Sequence, residues 1–117
     1  MSGSTTTITV PVDEEQVAFV NVFTVDPGRQ LELLQALDDA TRDVFMTLPG
    51  FVSANLHTSL DGQRVINYAQ WASEKQFKES LQRADVREHM AKAAAIATSW
   101  DPTLTRVRSV LGVAGDE

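Results

Sequence analysis

The chain has 117 residues, a hydrophobic fraction of 43% and a formal net charge of −6, which fits a single soluble domain with a real core. It contains no cysteine, which excludes disulfides, thiolate catalysis and cysteine-ligated metals. An acidic chain without a basic cluster argues against nucleic acid and an anionic membrane as partners. No apolar run approaches the roughly 20 residues that cross a bilayer, and the polar N-terminus lacks a signal core, so we expect a cytoplasmic protein.

The first predicted element follows a Ser/Thr-rich tail over residues 1–15, which we expect to be loose. Residues 16–25 (QVAFVNVFTV) are typical of a strand, with Phe19, Asn21 and Phe23 on one face. Both faces of this strand are largely apolar, which indicates a sheet covered on both sides. Burying the Asn21 amide without a partner would cost on the order of 1–3 kcal/mol. It therefore either bonds a neighbouring backbone group or a water molecule, or faces a ligand.

An amphipathic helix is predicted over residues 28–47, where apolar residues recur at three- and four-residue spacing. Leu48-Pro49-Gly50 is a typical end for it. The acidic residues on its polar side indicate a solvated face rather than a metal site.

The candidate site is the third predicted strand, residues 65–71 (VINYAQW), which follows an Asp61-Gly62 turn. Because strand side chains alternate, Asn67, Ala69 and Trp71 point to the same face. A strand built only for packing would carry Val, Ile or Leu there. An amide and a large ring on either side of a small residue are suited to hold a flat, partly polar molecule.

The second predicted strand, residues 51–59, carries His57. Whether His57 shares a face with Asn67 depends on the length of the connecting loop. A two-residue loop would place it on the opposite face, and a three-residue loop with a bulge would place it on the same side.

The later elements are two helical stretches and a strand. Ser73 with Gln76 three residues on is close to a capping box and opens the first helix. A second helix is predicted over residues 86–98, ended by Asp101-Pro102, and a fourth strand over residues 104–111.

This β-α-β-β-α-α-β order predicts an α+β, ferredoxin-like domain over residues 16–112, with a C-terminal tail over residues 113–117. Its helices can cover only one face of the antiparallel sheet. A second copy of the chain is the simplest cover for the other face, so we expect a homodimer with the architecture of a dimeric α+β barrel.

Three segments carry a resemblance to a known family: FVNVFTV (19–25), LPGFVSANLHTSLDG (48–62) and NYAQWASEKQF (67–77). In this order and spacing they resemble the antibiotic biosynthesis monooxygenase family of small dimeric α+β barrels. The resemblance is greatest to the cofactor-independent oxygenases that convert polyketide anthrones to quinones. It implies a planar aromatic polyketide as substrate, molecular oxygen as co-substrate, and no metal or other cofactor.

The resemblance also implies site residues. Catalytic asparagines and a tryptophan of those oxygenases correspond to Asn21, Asn67 and Trp71 here. The residues expected to bind substrate are His57, Phe77, Arg87 and Phe23. Phe77 stands where one type of these enzymes has a tyrosine, and Arg87 matches an arginine of the last helical region only approximately.

Oxidation of an anthrone by oxygen requires a delocalised anion, which carboxamides can stabilise by hydrogen bonding and an indole can hold by packing. His57 would be the available base if it faced the pocket. The alternatives are a polyketide cyclase or a non-catalytic ligand-binding barrel. A haem-degrading monooxygenase is less favoured, because Ser80 stands near the position of an additional tryptophan and His89 is out of register for an iron ligand.

Overall fold

The computed structural model describes residues 15–113. The predicted tails, residues 1–15 and 113–117, lie outside this part of the chain apart from Glu15 and Val113. The helices and strands, in chain order, are β1 (Val17–Thr24), α1 (Gln30–Asp43), β2 (Phe51–Thr58), β3 (Arg64–Trp71), α2 (Glu74–Ser80), α3 (Ala84–Ile96) and β4 (Ser99–Thr105). The predicted order of elements and the ferredoxin-like α+β class are confirmed.

The four strands form one antiparallel sheet in the order β2-β3-β1-β4. The face that carries Asn21 and Asn67, called the inner face, packs against the helices. Leu33 and Leu37 of α1 and Ala93 of α3 share a buried cluster with inner-face residues of β1 and β3. A second cluster joins α2 and α3 to the same face, and Met90 packs against both clusters.

The other face of the sheet, called the open face, carries the alternate residues of each strand. Val20 pairs with Tyr68 and Val22 pairs with Ile66 on this face, and all four side chains are half-buried. The helices within residues 15–113 contribute their buried side chains to the inner face. The expected cover on both sides is therefore present on one side only in the described chain.

The first helix is shorter than the predicted 28–47. It ends at Asp43, where Val44 takes φ −123° and ψ −64°, and the chain continues as a 3-10 turn over Phe45–Thr47. The turn redirects Phe45 onto the face of Trp71, where the two rings meet edge to face.

The placement of the last strand at residues 104–111 was wrong. Asp101-Pro102, predicted to end a helix, lies inside β4, with Pro102 opposite Asn21. The helix already ends at Ile96. Proline lacks an N–H, which an edge strand can tolerate because one side of its backbone has no neighbouring strand. None of the helices within residues 15–113 has the length and apolarity that a membrane crossing requires.

Candidate functional site

A small cavity of about 50 Å³ lies between the inner face and the helices. Asn67, Ala69 and Trp71 of β3 form part of its wall, as the alternation of that strand predicted. Phe19 of β1 and Phe77 of α2 close it from two other directions. The candidate strand therefore faces an enclosed and mostly aromatic space.

Trp71 is the centre of this aromatic wall and is 1% exposed. Its ring meets Phe45, Phe51 and Phe77 edge to face, with centroid distances of 6.1, 5.4 and 5.8 Å. Phe77 also packs on Phe19 at 4.8 Å. Edge-to-face contacts fix the plane of a ring, so Trp71 presents a fixed surface to the cavity while it also belongs to the core.

Asn21 and Asn67 are direct cross-strand partners on the inner face. The Oδ1 atom of each is buried without a hydrogen-bond partner among the described residues, and Asn21 is only 2% exposed. An unsatisfied buried polar group costs about 1–3 kcal/mol. A rotation about Cβ–Cγ exchanges the oxygen for the NH₂ group, so each amide can accept from or donate to a bound molecule. Asn67 lines the cavity, whereas Asn21 is not among the residues of its described wall.

His57 is not brought to this cavity. The connection between β2 and β3 spans residues 59–63, with Gly62 at φ +80°. In the resulting register Leu56 lies opposite Asn67, and His57 lies opposite Ile66 on the open face, where it is exposed. The connecting loop is longer than either of the two loops considered from the sequence, and it leaves His57 on the face opposite to that of Asn67.

Phe23 and Arg87 also lie away from the inner cavity. Both line a separate groove between α3 and β4. Phe23 is 1% exposed and pairs with Trp100 near the end of the sheet. The Arg87 guanidinium donates to the Leu81 carbonyl at 3.0 Å. Of the expected substrate-binding residues, Phe77 alone contacts the cavity.

The wall of the inner cavity carries no ionisable side chain among the described residues. Its polar side chains are Asn67 and Thr41, and Thr41 Oγ1 donates to the Leu37 carbonyl at 2.8 Å. On the open face, burial raises the pKa of the Tyr68 phenol. Within residues 15–113 no cluster of three or more His, Asp or Glu side chains could hold a metal ion. The described residues therefore give this cavity an uncharged lining.

The sequence interpretation missed the aromatic neighbours of Trp71. Phe51 stands in the PGF segment and is the cross-strand partner of Trp71, which a correct β2–β3 register would have shown. Phe45 lay within a predicted continuous helix, and its contact depends on the 3-10 turn. Met90 could be recognised only as an apolar helix residue, since its position between the two core clusters depends on tertiary packing.

The family model of the antibiotic biosynthesis monooxygenases matches residues 16–92. Tetracenomycin-F1 monooxygenase from Streptomyces glaucescens is 46% identical over 70 residues, which are 60% of this chain and 62% of that relative. The match therefore spans less than two thirds of that relative's length.

Solved structures show the same fold. SnoaB from Streptomyces nogalater, described as a cofactor-independent oxygenase, superposes with a TM-score of 0.75 at 26% identity, covering 83% of this chain and 97% of SnoaB. The ActVA-Orf6 monooxygenase from Streptomyces coelicolor, solved with nanaomycin D, has a TM-score of 0.71 at 27% identity, covering 86% and 94%. Together with the family match over residues 16–92, which includes the entire candidate strand, these likenesses lead to one conclusion: this chain belongs to the antibiotic biosynthesis monooxygenase family.

Proposed function

We propose that this protein is a cofactor-independent monooxygenase that oxidises an anthrone-type aromatic polyketide to a quinone with molecular oxygen. The observation that carries the proposal is Asn67 Oδ1, which has no hydrogen-bond partner among the described residues and belongs to the cavity wall that Trp71 also lines. Its cross-strand neighbour Asn21 has an Oδ1 in the same state. The names of relatives support it: one is a tetracenomycin-F1 monooxygenase and another is described as a cofactor-independent oxygenase.

The reaction balances with oxygen as the only oxidant. Loss of one proton from the CH₂ group of an anthrone gives a delocalised anion, which passes one electron to O₂ and forms a radical beside superoxide. The two combine into a C–O bond. The O–O bond then breaks as the second proton leaves the same carbon, so that anthrone and O₂ become quinone and water.

The two asparagines act on the anion in this proposal. Their NH₂ groups donate hydrogen bonds to the carbonyl oxygen as it gains negative charge, which favours the anion over the neutral ketone. Trp71 packs against the flat rings and holds them in register with the amides. The apolar wall excludes bulk water, so these hydrogen bonds act in a medium of low dielectric.

The proton acceptor in this proposal is not His57, which lies on the open face. Since the described wall of the cavity has no ionisable side chain, we propose that the bound substrate passes its proton to a water molecule while its carbonyl oxygen gains negative charge beside the amides. The rate then depends on the acidity of the substrate. Replacing one anthrone by a more acidic one should shift the pH profile of kcat/KM correspondingly.

An oxygen-dependence assay tests this proposal. Purified, chelator-treated protein is given 1,8-dihydroxyanthrone with and without air, with heat-denatured protein as the blank. We expect quinone formation only with oxygen, and one labelled oxygen atom in the new carbonyl when ¹⁸O₂ is supplied. Equal consumption of the anthrone without oxygen would contradict oxygen as the oxidant, and no conversion in air would overturn the proposal for this substrate class.

Two variants locate the chemistry in the same assay. Asn67→Ala should lower kcat on the order of 10²–10³-fold, because the lost hydrogen bond strengthens as charge develops. His57→Ala is the matched control and should stay within about twofold of the parent protein. A change in KM alone for Asn67→Ala would contradict the assigned role.

We also propose that the protein is a homodimer whose two open faces meet. The half-buried Val20, Val22, Ile66 and Tyr68 form an apolar centre there, and apolar patches of this kind are typical of interfaces. Val22→Asp should halve the molar mass in sedimentation equilibrium. Leu31→Asp, at a residue of α1 that is 70% exposed, should leave the mass unchanged. A parent protein that sediments as a monomer would refute the dimer.

A further inference from the structure

The inner cavity is too small for the substrate class proposed above. Its volume is about 50 Å³, whereas pockets that hold drug-sized molecules are about 300–1,000 Å³. A second space of about 380 Å³ lies next to it, between α3 and β4. Leu81 and Met90 line both spaces and form the wall between them. We call the second space the α3–β4 groove.

The α3–β4 groove is apolar apart from one charged group. Phe23, Trp100 and the small residues Ala91 and Ala94 contribute to its lining, and Arg87 is its ionisable side chain. Trp100 is 50% exposed although it is a large aromatic residue. An exposed indole across from small alanines is suited to stack a flat ring.

The charge of Arg87 is not matched by a carboxylate in its hydrogen bonds. It donates to the Leu81 carbonyl at 3.0 Å and to Gln82 Oε1 at 3.2 Å, both neutral oxygens. Other arginines of this chain form ion pairs with Asp or Glu, as the pairs at Arg29, Arg42 and Arg83 illustrate. In a chain of net charge −6, Arg87 is a local positive site at an apolar groove, which favours an anionic aromatic ligand.

The wall between the two spaces is easy to move. Leu81 follows the last residue of α2 and is 39% exposed. Met90 has an unbranched side chain, a type that readily changes its packing. Leu81 and Met90 are the two residues common to both linings, so their side chains are the ones that would have to move to join the cavity to the groove.

A third space, between α1 and β2, is less suited to this ligand. Thr41, Phe51 and Ala54 separate it from the cavity. Phe51 and Ala54 are held in the sheet, and Thr41 is bonded to the Leu37 carbonyl. The charged groups on its rim, Asp38 and Arg42, neutralise each other at 2.8 Å, so they offer an anion no net attraction.

We infer that the substrate extends from the inner cavity past Leu81 and Met90 into the α3–β4 groove. This inference deepens the proposed function and rests on it. The ring to be oxidised lies at Asn67 and Trp71. The distal ring packs on Trp100, and an anionic oxygen substituent on that ring, a carboxylate or an ionised phenol, binds Arg87.

The two tryptophans make the inference testable by ligand binding without turnover. Trp71 lines the inner cavity and Trp100 lines the groove. In Trp71→Phe the remaining fluorescence reports on the groove, and in Trp100→Phe it reports on the cavity. Anthraquinone-2-carboxylate should quench both variants at the same ligand concentration. Quenching of the Trp71 signal without the Trp100 signal would overturn the inference. If Trp71→Phe does not fold, the fluorescence of Trp100 is obtained instead by subtracting the fluorescence of Trp100→Phe from that of the parent protein.

The role of Arg87 is tested by removing the charge from the protein and, separately, from the ligand. Arg87→Gln should raise the Kd for anthraquinone-2-carboxylate on the order of tenfold, to the value for the neutral anthraquinone-2-carboxamide, whose own Kd should not change. Arg42→Gln is the matched control, and a loss of affinity there instead would place the ligand in the α1–β2 space and overturn the inference. These outcomes are separate from the oxygen assay: the anthrone can fail to oxidise while the groove still binds the carboxylate, and the reverse can also occur.

Discussion

Each face of the sheet buries asparagine atoms that lack a hydrogen-bond partner among residues 15–113, two on one face and one on the other, in different surroundings. On the inner face these atoms are the Oδ1 atoms of Asn21 and Asn67, enclosed by helices and aromatic rings of the same chain. On the open face the atom is Asn55 Nδ2, beside Tyr68 on the neighbouring strand. Asn67 lines the inner cavity and can gain a partner from a molecule that enters it. An open-face amide can gain one from a surface that covers the sheet.

The largest expected effect comes from the aromatic residues of the two faces. Trp71→Ala should lower the free energy of unfolding by about 3–5 kcal/mol, because it removes a buried ring in contact with Phe45, Phe51 and Phe77. We expect oxidation to be lost as well. Urea denaturation at fixed pH measures the change in stability.

Tyr68→Ala is the open-face counterpart of that variant. Tyr68 is only half-buried in the described chain, so its loss should cost clearly less than the loss of Trp71. If the open face is an interface, the cost should grow as the protein is concentrated and the parent dimer becomes more populated. Equal losses for the two variants at every concentration would remove the distinction between the faces.

The next effect is a gain in stability with a loss of function. Asn67→Leu replaces a buried amide with an unpartnered oxygen by an apolar side chain of similar size, so it should raise the free energy of unfolding by about 1 kcal/mol. The same change should abolish oxidation of the anthrone. Chemical denaturation and the oxygen assay, run on one preparation, measure both.

Asn55→Leu is the control on the open face. It removes another buried amide with an unpartnered atom but should leave the oxidation rate near that of the parent protein. Destabilisation by Asn67→Leu would mean that the fold already satisfies the Asn67 amide. In that case the site would lose its principal support.

Side-chain alternation explains what could be predicted of the site. The period of two within one strand placed Asn67, Ala69 and Trp71 on one face, and likewise Phe19 with Asn21. Alternation carries no information across strands, so the direct pairing of Asn21 with Asn67 emerged only with the sheet order. The side of His57 depended on a loop whose length local turn patterns did not determine.

The C-terminal strand shows a second physical reason for failure. Asp101-Pro102 is a strong local signal for a break in regular structure. Tertiary position overrode it, because β4 is at the edge of the sheet and can accommodate a residue without an N–H. Trp100, which directly precedes Asp101-Pro102, consequently lies in β4 and lines the α3–β4 groove.

The smallest effect is expected in the loop that joins β2 to β3, which belongs to neither face. The Ser59 hydroxyl and then the Gln63 backbone N–H donate to Asp61 and lower the pKa of its carboxyl group. A carboxyl whose pKa is lower in the folded state stabilises the fold above its unfolded pKa, about 3.9. That contribution is lost as the pH falls through the folded value. Asp61→Asn should therefore be slightly less stable than the parent at pH 7.

The difference should shrink as the pH is lowered from about 5 towards 2, the range in which the parent's carboxyl takes up its proton. Urea midpoints of both proteins across that range measure it. Ser59→Ala removes the first of these hydrogen bonds and also the acceptor of the Arg64 N–H. It should therefore show a weaker pH-dependent part together with a pH-independent loss. Because Asp61 is exposed, a pH-independent difference would mean that Asp61 acts through the shape of the turn. The register that separates His57 from Asn67 would then depend on backbone geometry rather than on charge.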